Sequence, residues 1–258
     1  MDRNLVRQFV CVLAVVGTIA GNALANIIPF NGQSTGAVSN KFDVLFTPAG
    51  YVFAIWGVLY LTWCVFAVYQ LLPSKRADTR LGRVTYLFVL SGVANVLWLV
   101  LWHYEYFALT VAVMLFLLGL LTTIYLRLNV GRVKVGLVEK ICVDIPFSLY
   151  LAWISVATIA NITIFLRHFG WSGWGIPEPI WAIIMISVAT ALGMIACIER
   201  NDFAFIAVLA WAFMGIAEKQ SATPTVAYAA YAATAFLGGV ALWRFVSGLG
   251  KRRLQPSN

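Results

Sequence analysis

Long apolar runs separated by short polar loops repeat along the whole chain. Eight of them are long enough to read as spans: Leu5 to Ile28, Ala49 to Leu72, Tyr86 to Trp102, Tyr106 to Leu126, Ile141 to Leu166, Ile180 to Ile198, Phe203 to Ala217 and Val226 to Val246. About 20 apolar residues in helical form cross the roughly 30 Å of bilayer hydrocarbon. The alternating ten-residue pattern of a membrane β-barrel is absent. The pattern predicts an all-α fold, a polytopic transmembrane helical bundle of about eight spans. The seventh run is the shortest and reads as either a full span or a re-entrant segment.

Composition agrees. The chain of 258 residues is 62% hydrophobic and 11% charged, against roughly 25% charged in an average soluble domain. The net charge of +8 does not point to nucleic acid, because the basic residues sit in the short loops between spans, where they set orientation and face anionic lipid. With eight spans, 15 of the 18 basic residues fall on one side, and only Lys41, Arg167 and Lys219 fall on the other. The positive-inside rule then puts both termini in the cytoplasm. Removing the seventh span would move the Lys251–Arg253 cluster outside.

The start of the chain imitates a signal peptide, with Arg3 and Arg7, an apolar run and Ala23-Leu24-Ala25. The run is longer than the usual 7–15-residue core of such a peptide, so it is read as a retained helix. No Arg- and Ser-rich transit segment precedes it, and a prokaryotic plasma (inner) membrane is the expected compartment. The four cysteines all lie in apolar runs without CxxC spacing, which argues against a disulfide or metal framework.

Helical spacing gathers aromatic and amide residues on single faces. In the second span the stripe is Phe53, Trp56, Tyr60 and Trp63. In the third it is Ser91, Asn95, Trp98 and Trp102. In the fifth it is Pro146, Tyr150, Trp153, Ala157 and Asn161. An amide facing lipid is expensive, so Asn95 and Asn161 should face the interior. Such faces fit a ligand chamber, and they equally fit ordinary helix packing. Asn22 and Asn26 either line a cavity mouth or cap the first helix. The loop from about Pro29 to Thr47 is rich in turn-forming residues and is expected to be a flexible cover.

No catalytic or metal-binding constellation stands out. His103 and His168 read as loop residues without helix-spaced partners. No lysine sits mid-span to carry a retinal Schiff base, and no Walker loop or GxGxxG fingerprint is present. Asp144, one turn into the fifth span, reads as a residue that sits near the inner headgroups or pairs with Lys140, with a proton or ion route as the other reading.

Three patterns together carry a resemblance. Pro48-Ala49-Gly50-Tyr51-Val52-Phe53-Ala54-Ile55-Trp56-Gly57-Val58-Leu59-Tyr60 resembles the second-helix signature of the TspO/translocator-protein family, the tryptophan-rich sensory proteins. Asn95-Val96-Leu97-Trp98 resembles that family's third-helix N-x-x-W, and Trp153 to Asn161 its fifth-helix W-x-x-x-A-T-x-x-N. The resemblance covers about residues 5–166, the family's five-helix unit. It divides the chain into a TspO-like region, 1–168, and a further three-helix region, 169–258, with no assigned counterpart. The latter is read as an added module, a dimer surface or a lid.

The resemblance implies a five-helix bundle that binds tetrapyrroles, sterols or synthetic aromatic ligands beneath the loop after the first helix. By carry-over Trp56, Asn95, Trp153 and Ala157 line the pocket, and Tyr51, Phe53 and Tyr60 form its aromatic wall. Trp98 and Asn161 complete the set. Ala49 and Tyr51 stand where the family has a second proline and a tryptophan, Gly57 replaces a threonine, and the proline usual after the third-helix tryptophan is missing at Leu99 and Val100. The expected function is that of a membrane receptor or sensor for a planar hydrophobic ligand such as a porphyrin, with no tightly bound cofactor. The lipid bilayer and that ligand are the expected partners, with a homodimer as a further one and no nucleic acid. A secondary transporter and a light-dependent porphyrin-degrading enzyme acting through Trp56 and Trp153 are the alternatives.

Overall fold

A computed structural model describes residues 2–28 and 30–253, with side chains as far as residue 247. Pro29 and the side chains of Lys251, Arg252 and Arg253 lie outside the described residues. Among those residues the chain is helical, without strands. Eight long helices stand where the eight apolar runs were read: α1 (Arg3–Ile27), α2 (Ile55–Leu71), α3 (Thr85–His103), α4 (Phe107–Arg127), α5 (Ile145–His168), α6 (Glu178–Arg200), α7 (Phe203–Lys219) and α8 (Pro224–Arg253). Seven segments are long and apolar enough to cross a membrane. The other helix, α7, has 17 residues and reaches about 25 Å at 1.5 Å per residue, the lower limit for a span.

Local chemistry fixes the helix ends. Asp2 caps α1 by accepting from Asn4 N–H, and Asp202 caps α7 by accepting from Phe205 N–H. Pro177 and Pro179 open α6, where a missing N–H costs nothing. Asn201 takes the left-handed conformation after α6 (φ 51°), so the chain reverses into α7 through two residues. Large apolar side chains such as Leu13, Leu61, Val68 and Val93 stand exposed on the outside, as expected of surfaces that face lipid.

The first five helices close a ring in the order α1–α2–α5–α4–α3. Helix α7 packs on α5, α6 and α8, so it joins the ring to the last pair. It also meets the start of the second span, where Gly50–Ala54 forms a 3-10 turn ahead of α2. Ala49 N–H donates to Gly215 O (3.0 Å), and the Trp211 indole donates to Val52 O (3.0 Å). A Cβ at Gly215 would lie 2.0 Å from Val52 Cγ2, so only glycine permits this approach.

Ionic and amide contacts lock the basic end of the bundle. The Arg7 guanidinium donates to the carbonyls of Lys75, Arg76 and Asp78. Gln8 and Gln70 exchange side-chain to backbone bonds (2.5 and 2.9 Å). Arg80 pairs with Glu139 (2.7 Å) and Asp144 (2.6 Å) and donates to Leu128 O. Of the readings of Asp144, the pair with Lys140 does not form. Residues Lys140–Asp144 take a π-helical turn, which removes the regular i, i+4 alignment, and Arg80 reaches Asp144 from the loop before α3.

At the opposite end the loop after α1 is tied down, not a free cover. It holds a short helix, Thr35–Asn40. Gln33 donates to His103 O and Glu105, Lys41 pairs with Glu105, and the Trp102 indole donates to Thr35 O (3.1 Å). Lys219 at the end of α7 donates to Asn40 and Thr47. His103 is fully buried at the end of α3, its Nδ1 2.7 Å from Leu99 O and its Nε2 3.4 Å from Thr35. It is a helical residue beneath the loop because α3 runs one residue further than its apolar run.

Two outcomes follow. Removing Arg80 leaves the buried Asp144 carboxylate unpaired, so Arg80→Ala should destabilise the protein by about 3 kcal/mol, measured by unfolding in detergent; a change below about 1 kcal/mol would count against the clamp. Lys41 and, next, Gln33 hold the Glu105 pKa below the ordinary glutamate value. A lowered carboxylate pKa contributes stability above the unfolded value of about 4.3 and loses it as pH falls through the folded one. Hydrogen exchange across residues 35–41, corrected for its intrinsic rate, should therefore accelerate below about pH 4; equal protection at neutral and acid pH would contradict this.

Candidate functional site

The stripes of α2 and α5 meet in the ring interior as one aromatic cluster. Trp63 packs on Tyr150 with ring centroids 4.6 Å apart. Trp56 stacks on Tyr60 (5.9 Å) and meets Trp63 and Trp153 edge-on at 6.4 and 6.2 Å. Phe53 meets Trp153 at 6.0 Å. A floor of Phe66, Phe88 and Phe147, packed edge-to-face, closes the side toward the basic end. Centroid separations of 4.5–7 Å with tilted rings are the favoured aromatic geometry.

The cluster has a buried face and an open one. Trp63, Tyr150 and Trp153 are 2%, 1% and 3% exposed, whereas Phe53, Trp56, Tyr60 and Ala157 are half-buried. Three polar groups on the buried face, the Trp63 Nε1–H, the Trp153 Nε1–H and the Tyr150 hydroxyl, make no hydrogen bond to the protein. Asn95 lies near Tyr150 but makes no bond of proper geometry to its hydroxyl. Buried indole and phenol groups ordinarily find partners, and each orphan costs about 1–3 kcal/mol. In hydrocarbon no water makes good the loss.

The amides behave differently. Asn22 Nδ2 donates to Asn95 Oδ1 (2.8 Å), joining α1 to α3. The Trp98 indole donates to Asn161 Oδ1 (2.7 Å), and Asn161 Nδ2 donates to Thr110 Oγ1 (2.9 Å), joining α3, α5 and α4. Asn22 is therefore an interhelical partner, neither a free cavity rim nor a cap. Tyr51 is 42% exposed and packs edge-on against Trp211 of α7 at 5.3 Å, away from the Trp56–Trp153 contact.

The structure thus brings together Phe53, Trp56, Tyr60 and Trp153, with Ala157 one turn along α5. It places Asn95, Trp98 and Asn161 in helix-joining bonds and Tyr51 on the α7 side. Trp63 and Tyr150 belong with the aromatic group. Both lie on the sequence stripes, and the i+3 spacing from Tyr60 to Trp63 and from Tyr150 to Trp153 is the signal that finds them.

The site contains two kinds of residue, and mutation should separate them. Asn161→Ala leaves the Trp98 indole without its acceptor and should cost about 1–2 kcal/mol of bundle stability, the range for interhelical bonds in membranes. Trp153→Phe relieves an unpaired donor but leaves part of the buried indole's volume unfilled; the two effects oppose each other, and the change should be nearly neutral. Comparing the two unfolding midpoints tests this; equal losses would contradict the division.

A model of the family described as TSPO-like protein matches residues 8–243. The match runs beyond residue 166, through α6 and α7 and into α8, so the last three helices lie within the matched region. Neither the curated proteins nor the solved structures contain a match to the chain. With the three motifs set on one closed ring of five helices and the match covering most of its length, the chain belongs to the TSPO-like protein family.

Proposed function

We propose that the protein is a membrane receptor or sensor that binds a planar hydrophobic ligand, a porphyrin or a sterol-like molecule, at the α2–α5 aromatic cluster. The observation that carries this reading is the set of three orphaned donors, Trp63 Nε1–H, Trp153 Nε1–H and Tyr150 O–H, among aromatic faces. A flat ligand bearing a carbonyl, carboxylate or hydroxyl would bury its faces against the rings and give these donors an acceptor. The rings touch one another, so the ligand must part them. The half-buried Phe53, Trp56 and Tyr60 are the side with room to move. In this reading Asn95, Trp98 and Asn161 keep the walls in register and contribute indirectly. The basic end of the bundle faces the cytoplasm, as the distribution of lysine and arginine favours.

Protoporphyrin IX titrated into detergent-solubilised protein should quench tryptophan fluorescence saturably. Trp153→Phe keeps an aromatic ring and removes a donor, so the dissociation constant should rise about five- to tenfold, near 1 kcal/mol. Trp56→Ala removes a stacking face and should weaken binding at least as much. Titrations that match the unsubstituted protein in both variants would refute the site.

A further inference from the structure

Outside the ring, α1 and α3 leave a groove of about 630 Å³ open to the lipid-facing surface. Its walls are apolar and include Leu13, Gly17, Val93 and Val96, with Leu13 and Val93 more than half exposed. Directly inside it lies a narrow internal gap, too tight for a water molecule, lined on its inner side by Trp63, Phe88, Ser91 and Tyr150. Ala14, Thr18 and Gly92 line both the groove and the gap. These three small residues are therefore the partition between the bilayer and two of the three orphaned donors. The approach is close: a Cβ at Gly92 would sit 2.5 Å from Thr18 Oγ1.

The partition lies where α1 is least fixed. Arg7 and Gln8 hold α1 to the end of α2 and the loop after it, and Asn22 holds it to α3. Between Gln8 and Asn22, α1 makes no hydrogen bond to another helix among the described residues. Its side-chain bonds there run back along itself, from Thr18 Oγ1 to Ala14 O and from Asn22 Nδ2 to Thr18 O. Back-bonding of this kind bends helices.

We infer that the α1–α3 groove is the path by which the chamber's ligand passes from the bilayer, with Ala14, Thr18 and Gly92 as its gate. The occupant is a planar apolar molecule dissolved in the lipid and carrying a hydrogen-bond acceptor. The groove's walls suit its apolar body, and Trp63 and Tyr150 behind the gate suit its polar edge. This inference rests on the aromatic-chamber reading.

The test staples the gate. Thr18 Cβ lies 3.8 Å from the Cβ position at residue 92, the usual separation across a disulfide. Thr18→Cys/Gly92→Cys, with the exposed Cys64 changed to Ser, is placed singly in phosphatidylcholine nanodiscs that already contain protoporphyrin IX. The rate of saturable tryptophan quenching is followed before and after reduction. The oxidised form should associate about tenfold or more slowly, and reduction should restore the rate. Equal rates in both forms, with Trp153-dependent binding intact, overturn the gate but leave the chamber standing. Absence of Trp153-dependent binding in the unsubstituted protein overturns the chamber and the gate with it.

A second variant does not depend on forming the bond. A Cβ at Gly17 meets nothing within 4 Å, so Gly17→Phe fills the groove without crowding the packed side. It should slow association while leaving the unfolding midpoint unchanged. If it leaves the rate unchanged and abolishes pairing of two copies in one disc, the groove is the seat of a second copy and the inference fails.

Discussion

Hydrocarbon supplies no hydrogen-bond partner, so every polar group carried into the bundle must be matched by another part of the chain. Most of the architecture can be read as the consequence. Asn22 meets Asn95, Trp98 meets Asn161, and Asn161 meets Thr110. Those pairs connect α1, α3, α4 and α5 at defined heights, which apolar contacts between lipid-like surfaces cannot do alone. Close to the basic end, Gln8 with Gln70 and Arg80 with Asp144 do the same for α1, α2 and α5.

Against that background, three unmatched donors in one aromatic cluster stand apart. Elsewhere in the ring Asn22, Asn95, Trp98, Asn161 and Thr110 are paired. Leaving Trp63, Trp153 and Tyr150 without partners concentrates an unmet demand at one place, between the half-buried Trp56 and Tyr60 and the packed floor of Phe66, Phe88 and Phe147. Among the described residues the other unpaired buried atoms belong to Arg7, Gln70, Arg76 and Arg244, outside the aromatic cluster; a cost gathered among aromatic faces at one site is a common mark of function.

The last three helices bear on that site through α7. The α2 signature segment begins as a 3-10 turn whose backbone is held by Gly215 and Trp211, and Lys219 ties the same helix to the loop over the far end. Helix α7 therefore braces the turn that sets where Phe53 and Trp56 enter the ring. The substitution of Tyr51 for the family's tryptophan falls at this junction, where its ring packs on Trp211. The departure from the family motif and the presence of α7 are thus in physical contact.

The number and order of the helices were legible in the sequence because eight apolar runs with basic loops have one sensible solution in a bilayer. The aromatic stripes were legible too, since period 3.6 alone puts Trp56, Tyr60 and Trp63 on one face and Tyr150, Trp153 and Ala157 on another. Periodicity says which face a residue occupies but not what stands opposite. That is why Asn95, Trp98 and Asn161 looked identical in kind to Trp153, although three of them bond across helices and the fourth bonds nothing. It is also why Lys140, four residues away, could be read as a partner of Asp144, whereas a π-helical turn and the long reach of Arg80 give it another. His103 was hidden for a related reason: burial at a helix end depends on a loop folding back over it. Sequence determined the spans and the faces. Tertiary structure alone decided the partners, because hydrogen bonds between helices depend on relative height and rotation, and neither is encoded within any single helix.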